Sequence, residues 1–199
     1  VAIEELAVAS YSKQILVNAD LSSDRYIKTY LKDVNVVKYG EGQVYHASLE
    51  AELGVVQIHL KKSLLSSKDY ALVGVPGRAV LAASAAVADI LGMDHGSIQA
   101  GLLELKPVPG RMSRLNGVLG STIIDDSYNS SPEAAKVALD YLYSQNAPQR
   151  IALLGMMNEL GSESARFHSE LGEYCDPSRV DLVVTLGEDA NSYLASAAE

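Results

Sequence analysis

Ser121-Thr122-Ile123-Ile124-Asp125-Asp126-Ser127-Tyr128-Asn129-Ser130-Ser131-Pro132 is the stretch that decides the fold. A short apolar run rich in β-formers leads into two carboxylates. Hydroxyls and an amide follow, then a proline where a helix can begin. The order is strand, polar turn, helix. Residues 132–144 predict that helix, with Pro132 at its start. Two more such units follow. Residues 150–154 (RIALL) predict a strand and 163–175 a helix; 182–186 (LVVTL) predict a strand and 188–198 a helix. Three β-α units in succession predict α/β architecture, a Rossmann-like parallel sheet with helices on its faces and right-handed crossovers. In such sheets ligands bind beyond the carboxyl ends of the strands. Here those ends are Asp125-Asp126-Ser127-Tyr128-Asn129, the loop 155–161, and Gly187-Glu188-Asp189.

Upstream the pattern differs. Residues 14–18, 34–39, 44–49, 55–60 and a short run at 70–73 read as strands, and 22–31 as a helix. Alternation of apolar and polar residues around Gly54 predicts an antiparallel hairpin or meander. Gly74-Val75-Pro76-Gly77 interrupts the pattern. A helix of small residues is expected over 79–91, closed by Gly92, and a second from an Asp94 cap to about residue 105. Lys106-Pro107-Val108-Pro109-Gly110 is the strongest boundary signal in the chain. It predicts two domains, 1–108 with mixed strands and helices and 109–199 with the parallel sheet. No internal repeat or low-complexity tract is evident.

Composition narrows the partners. The chain has 199 residues, with 16 Lys and Arg against 25 Asp and Glu, so the net charge is −9. That charge argues against nucleic acid and anionic membranes as general partners. It leaves open nucleotides, which local backbone amides can bind. The lone cysteine, Cys175, excludes an internal disulfide and suits a reducing compartment. The acidic start Val1-Ala2-Ile3-Glu4-Glu5-Leu6 is unlike a secretory leader. The longest apolar helix candidate, 79–91, is shorter than the roughly 18–20 residues that span a bilayer and contains Asp89. A cytoplasmic location is expected. His46, His59, His95 and His168 show no metal-ligand spacing. A Gly-x-Ser-x-Gly elbow and a Gly-x-x-x-x-Gly-Lys-[Ser/Thr] phosphate loop are both absent.

Local chemistry leaves two readings at each candidate. Asp126 can bind ribose hydroxyls or help hold Mg²⁺, with the following helix start facing a phosphate; equally, Asp126 can cap its turn and Ser131 the helix. Arg111, just past the linker, can reach a phosphate or stay solvated. Asn158 and Glu159 are offered to the same strand-end edge by a glycine-bracketed loop, which can also be a plain connection. Ser164 and His168 are four apart and share a helix face; His168 can be a base or a satisfied structural histidine.

Together these stretches resemble the Mur ligase family, most closely the branch that adds D-alanyl-D-alanine to UDP-N-acetylmuramoyl tripeptide. Ile123-Ile124-Asp125-Asp126-Ser127-Tyr128-Asn129-Ser130-Ser131-Pro132 is similar to the family stretch that opens the C-terminal domain. Lys106-Pro107-Val108-Pro109-Gly110-Arg111-Met112 resembles the interdomain Pro-Gly-Arg hinge. The loop Gly155-Met156-Met157-Asn158-Glu159-Leu160-Gly161, followed by Ser164 and His168, resembles the Gly-Asp-Met-x-Glu-Leu-Gly loop. Val17-Asn18-Ala19-Asp20 resembles an Asn-x-Asp strand end of the central domain.

The resemblance implies an ATP- and Mg²⁺-dependent amide ligase of peptidoglycan precursor synthesis acting through an acyl phosphate. Its partners are a UDP-muramoyl peptide and D-alanyl-D-alanine. By motif position, Arg111, Asp126, Tyr128 and Asn129 border the nucleotide; Asn158, Glu159 and His168 border the incoming dipeptide. No catalytic residue and no protein metal ligand is assigned to this chain. The family's phosphate loop lies upstream of the Asn-x-Asp strand. The resemblance therefore implies the later part of a central domain plus half or more of a C-terminal domain, inactive alone. Leu21, Arg78, Ala79 and Met156 depart from the family pattern. They leave a non-catalytic module of the same fold as an alternative, beside a sister Mur or folylpolyglutamate ligase.

Overall fold

Strand formers at 14–18 and 35–39 set the first layer of a computed structural model that describes residues 9, 11–19, 27, 29, 31 and 34–198. The chain divides into two compact units, 1–106 and 107–199.

In the first unit β1 (Gln14–Asn18) and β2 (Asn35–Tyr39) pair in parallel, Gln14 opposite Asn35. β3 (His46–Glu50), β4 (Val55–His59) and β5 (Leu64–Ser67) form an antiparallel meander, with His46 opposite His59. The strand expected at 70–73 is not formed; the third strand of the meander lies at 64–67 instead. Tyr70 is buried, and its hydroxyl donates to Gln99 Oε1 at 2.9 Å. That bond fixes an irregular lead into α1 (Gly74–Ile90). α1 also begins earlier than expected, because Pro76 falls in its first turn, where a missing N–H costs no helix bond. Leu81, Ala82, Ala85 and Ala86 form its buried stripe, and the small alanines let the helix lie close on the sheet. α2 (His95–Glu104) starts on Asp94, whose carboxylate accepts from Ser97 N at 3.0 Å. The helix expected at 22–31 lies largely outside the described residues.

The second unit opens with a strand not anticipated from sequence, β6 (Ser113–Asn116), antiparallel to β7 (Thr122–Asp125). The stretch 121–125 thus pairs with its own upstream neighbour, and its Thr122 and Ile123 are exposed where a fully buried strand was expected. α3 (Pro132–Tyr143) follows, with Ser131 Oγ accepting Ala134 N–H at 3.3 Å. β8 (Ile151–Gly155) and β9 (Leu182–Leu186) pair in parallel, Ile151 opposite Leu182, with α4 (Ser164–Tyr174) between them. The last helical segment runs as a π-helical turn (Ala190–Leu194) into Ala195–Ala197. Leu139, Ala152, Leu171 and Leu194 centre this unit's core. Gly172 of α4 sits where any Cβ would run into the Leu194 carbonyl and the Ala197 side chain, so only glycine permits that helix–helix approach. No helix among the described residues is long and apolar enough to cross a membrane.

One buried pair predicts the alkaline behaviour of the first unit. Tyr45 is 6% exposed and donates to Asp89 Oδ2 at 2.8 Å. Burial first, then that bond and the charge of Asp89, push its phenol from 10.0 up to about 12. The folded state favours the neutral phenol, so this stability is fully present below pH 10.0 and lost as pH rises toward about 12. Ultraviolet titration with unfolding curves should show a steeper alkaline loss in the native chain than in Tyr45→Phe. Equal slopes would reject the pairing.

Candidate functional site

The first strand end is built by a carboxylate reaching back to the linker. Asp126 Oδ1 accepts the backbone N–H of Met112 at 3.0 Å, and Tyr128 N–H donates to Gly110 O at 3.1 Å. Ser113 Oγ donates to Asp125 O at 3.4 Å. These bonds lay Gly110-Arg111-Met112 across the end of β7. The path requires left-handed backbone at Gly110 (φ 74°) and Met112 (φ 49°). A Cβ on Gly110 would stand 3.0 Å from Tyr128 N. The Arg111 guanidinium lies 4.5 Å from the centroid of the exposed Tyr128 ring, a cation–π stack. It has no ion pair among the described residues, so its fork of donors is open to an anion.

The remaining polar groups here are divided between turn and helix. Asp125 Oδ1 accepts Ser127 N–H at 3.1 Å. The Ser127 hydroxyl first, then its amide, holds the Asp125 carboxyl below its ordinary value. Asn129 Oδ1 accepts Ser130 N–H at 3.0 Å, while Asn129 itself stays exposed. Ser131 caps α3, as one sequence reading held. Asp126 caps neither its own turn nor the helix; it ties down the hinge 14 residues upstream.

The second and third strand ends meet at His168. This side chain is fully buried, and Nε2 accepts Met157 N–H at 2.9 Å. Nδ1 lies 2.8 Å from Ser164 O and 3.2 Å from Ser164 Oγ, and that hydroxyl donates to Asp189 Oδ2 at 2.5 Å. His168 therefore does not line an open site; it lies beneath the loop. Asn158 and Glu159 are exposed above it, Glu159 in the left-handed region at φ 64°. Met156 occupies the strand end, with its N–H on Leu186 O at 2.9 Å.

The structure thus brings Arg111, Asp126 and Tyr128 together, with Asn129 beside them, and separately gathers Asn158, Glu159 and His168. Sequence reading missed Met112 as the partner of Asp126, and Asp189 as the end of the His168 network. No local spacing signals either contact. In the first unit Asn18 ends β1, whereas Asp20 and Leu21 lie outside the described residues. Arg78 sits half-buried on α1, and burial lowers its guanidinium's pKa. A cavity of about 730 Å³, lined by Tyr45, Asp89, Lys38 and Gln43 among others, also belongs to the first unit. Among the described residues no three His, Cys, Asp or Glu side chains converge to hold a metal ion.

A turn tied into a polar strand end, a capped helix and a parallel strand pair make up the second unit. Residues 110–199 match the family model described as Mur ligase, glutamate ligase domain. The family match covers the second unit, which is similar to the matching domain of the Mur ligases. The relatives include enzymes named for adding D-alanyl-D-alanine and others named for adding L-glutamate. The chain is 32% identical over 124 residues to the UDP-N-acetylmuramoyl-tripeptide–D-alanyl-D-alanine ligase of Escherichia coli K12, across 61% of this chain and 27% of that protein. The crystal structure of MurF ligase from Thermotoga maritima in complex with ADP superposes with a TM-score of 0.74 at 28% identity, across 91% of this chain and 42% of that one. MurF from Acinetobacter baumannii shares the fold with a TM-score of 0.78 at 22% identity, across 99% and 44%. The matches therefore span less than half the length of these relatives.

Gly110 offers a direct test of the hinge. Gly110→Ala must force an alanine into left-handed backbone, at roughly 1–2 kcal/mol, and press a methyl onto Tyr128. Denaturant unfolding of the second unit should lose at least that much, and unchanged stability would reject the hinge geometry.

Proposed function

We propose that this chain is part of an ATP-dependent amide ligase of peptidoglycan precursor synthesis, which joins D-alanyl-D-alanine to a UDP-N-acetylmuramoyl tripeptide in the cytoplasm. The observation that carries the reading is the open Arg111 guanidinium, stacked on Tyr128 and fixed beside Asp126 at the hinge of a Mur ligase domain. The names of the relatives support the amine and the acceptor, and the ADP-bound neighbour supports the nucleotide.

In this reading the acceptor carboxylate attacks the γ-phosphorus of ATP and ADP leaves. The dipeptide amine then attacks the acyl phosphate, loses a proton, and expels inorganic phosphate. Arg111 neutralises phosphate charge through charge-assisted bonds. Asp126 spends Oδ1 on Met112 and keeps Oδ2 for a ribose hydroxyl. Tyr128 and Asn129 lie beside the nucleotide. Exposed Glu159 offers a carboxylate to the dipeptide ammonium, and Asn158 an amide to its carbonyl. His168 acts from below by holding the loop. Mg²⁺ belongs to the reading as the partner of the transferring phosphates. The described residues do not assemble a set of ligands for it, so no step is routed through it.

The test uses the full gene product that contains this chain. Phosphate release should require ATP, the UDP-muramoyl tripeptide and D-alanyl-D-alanine together. Arg111→Ala and Asp126→Asn should lower kcat/KM by about a hundredfold or more with the melting temperature nearly unchanged. The asparagine keeps an acceptor for Met112, so hinge and chemistry are separated. Because the family model carries a glutamate-ligase description, L-glutamate is the control amine. Turnover with L-glutamate alone would reassign the amine, and turnover with neither would overturn the reading.

A further inference from the structure

The buried imidazole at the second strand end has a chain of partners that outruns simple packing. A backbone N–H can only donate, so the 2.9 Å contact from Met157 makes His168 Nε2 an acceptor and puts the ring proton on Nδ1. Nδ1–H then donates to Ser164 O at 2.8 Å, with Ser164 Oγ at 3.2 Å as a second acceptor. That second contact exists only while the hydroxyl proton points elsewhere. It points to Asp189 Oδ2, at 2.5 Å. Asp189 thereby sets the hydroxyl, the hydroxyl favours one tautomer, and the tautomer presents a lone pair to Met157. The opposite tautomer would set N–H against N–H inside a fully buried pocket, leaving both donors unsatisfied.

The three partners come from three elements: the loop after β8, the first turn of α4, and the segment after β9. Nearby charge does not compete for the role. Arg166, the cation of the same α4 turn, is taken by Glu163 at 2.8 Å and by Glu170. Met157 is 2% exposed, so the bond to His168 pins the loop at its inner residue. Asn158 and left-handed Glu159 follow directly and are held outward.

We propose that Asp189 and Ser164 are positioning residues which, through the Nδ1–H tautomer of His168, lock the Asn158–Glu159 loop in its ligand-facing conformation. The functional meaning rests on reading that loop as the dipeptide-amine site; the positioning itself does not.

The test is nuclear magnetic resonance on the ¹⁵N-labelled chain. Long-range ¹H–¹⁵N spectra should show His168 protonated at Nδ1. Asp189→Ala and Ser164→Ala, both at partly buried positions, should speed Met157 amide exchange about tenfold, with Ala152 and Leu154 protected as before. His168→Gln, which keeps an acceptor oxygen near the Nε2 position, should restore Met157 protection that His168→Ala loses. D-alanyl-D-alanine, used as the probe, should shift the Asn158 and Glu159 amides in the native chain and bind about tenfold more weakly to both network variants. An Nε2-protonated ring, or unchanged Met157 exchange in both variants, overturns the inference. If Met157 responds while the probe shifts nothing in the native chain, the positioning stands and the amine-site reading falls.

Discussion

The hydrogen bond from Met112 N–H to Asp126 Oδ1 is the constraint on which the second unit's site depends. It joins the residue just past the linker to a strand end 14 positions later. It helps hold Gly110 and Met112 in left-handed backbone, a conformation that is costly for Met112 at roughly 1–2 kcal/mol. The return bond from Tyr128 N–H to Gly110 O shares that load. With the turn laid on the strand end, Arg111 stacks over the Tyr128 ring. The turn that Asp126 holds therefore also sets where the Arg111 guanidinium sits.

The second edge is organised by different means. There the backbone is pinned from below by a buried imidazole, not from the side by a carboxylate. Both devices leave polar side chains exposed while spending a half-buried carboxylate or a buried imidazole on a backbone N–H donor.

Much of the fold was legible because its signals are local. β1 and β9 fall where apolar runs placed them, and α2 and α3 begin on the caps that Asp94 and Ser131 announce. The failures share a cause: the deciding partner is distant in sequence. Ser113–Asn116 reads as a polar linker and becomes a strand only because Thr122–Asp125 pairs with it. Tyr70 reads as strand and is instead claimed by Gln99. The start of α1 was hidden by a proline that the first helical turn tolerates. At the site, residue types were readable but not their duties. Asp126 ties the segment after the linker to the strand end, and His168 lies buried beneath the Asn158–Glu159 loop. Neither follows from spacing, since Met112 and Asp189 lie 14 and 21 positions away.

The central claim is that the hinge and first strand end form a nucleotide-phosphate site. A crystal structure of the full gene product with bound ADP tests it most directly. The account predicts an Arg111 nitrogen at about 2.7–2.9 Å from a phosphate oxygen. It also predicts a ribose hydroxyl on Asp126 and the Met112 bond intact. ADP phosphates bound away from residues 110–129, with Arg111 still lying on Tyr128 in solvent, would contradict it.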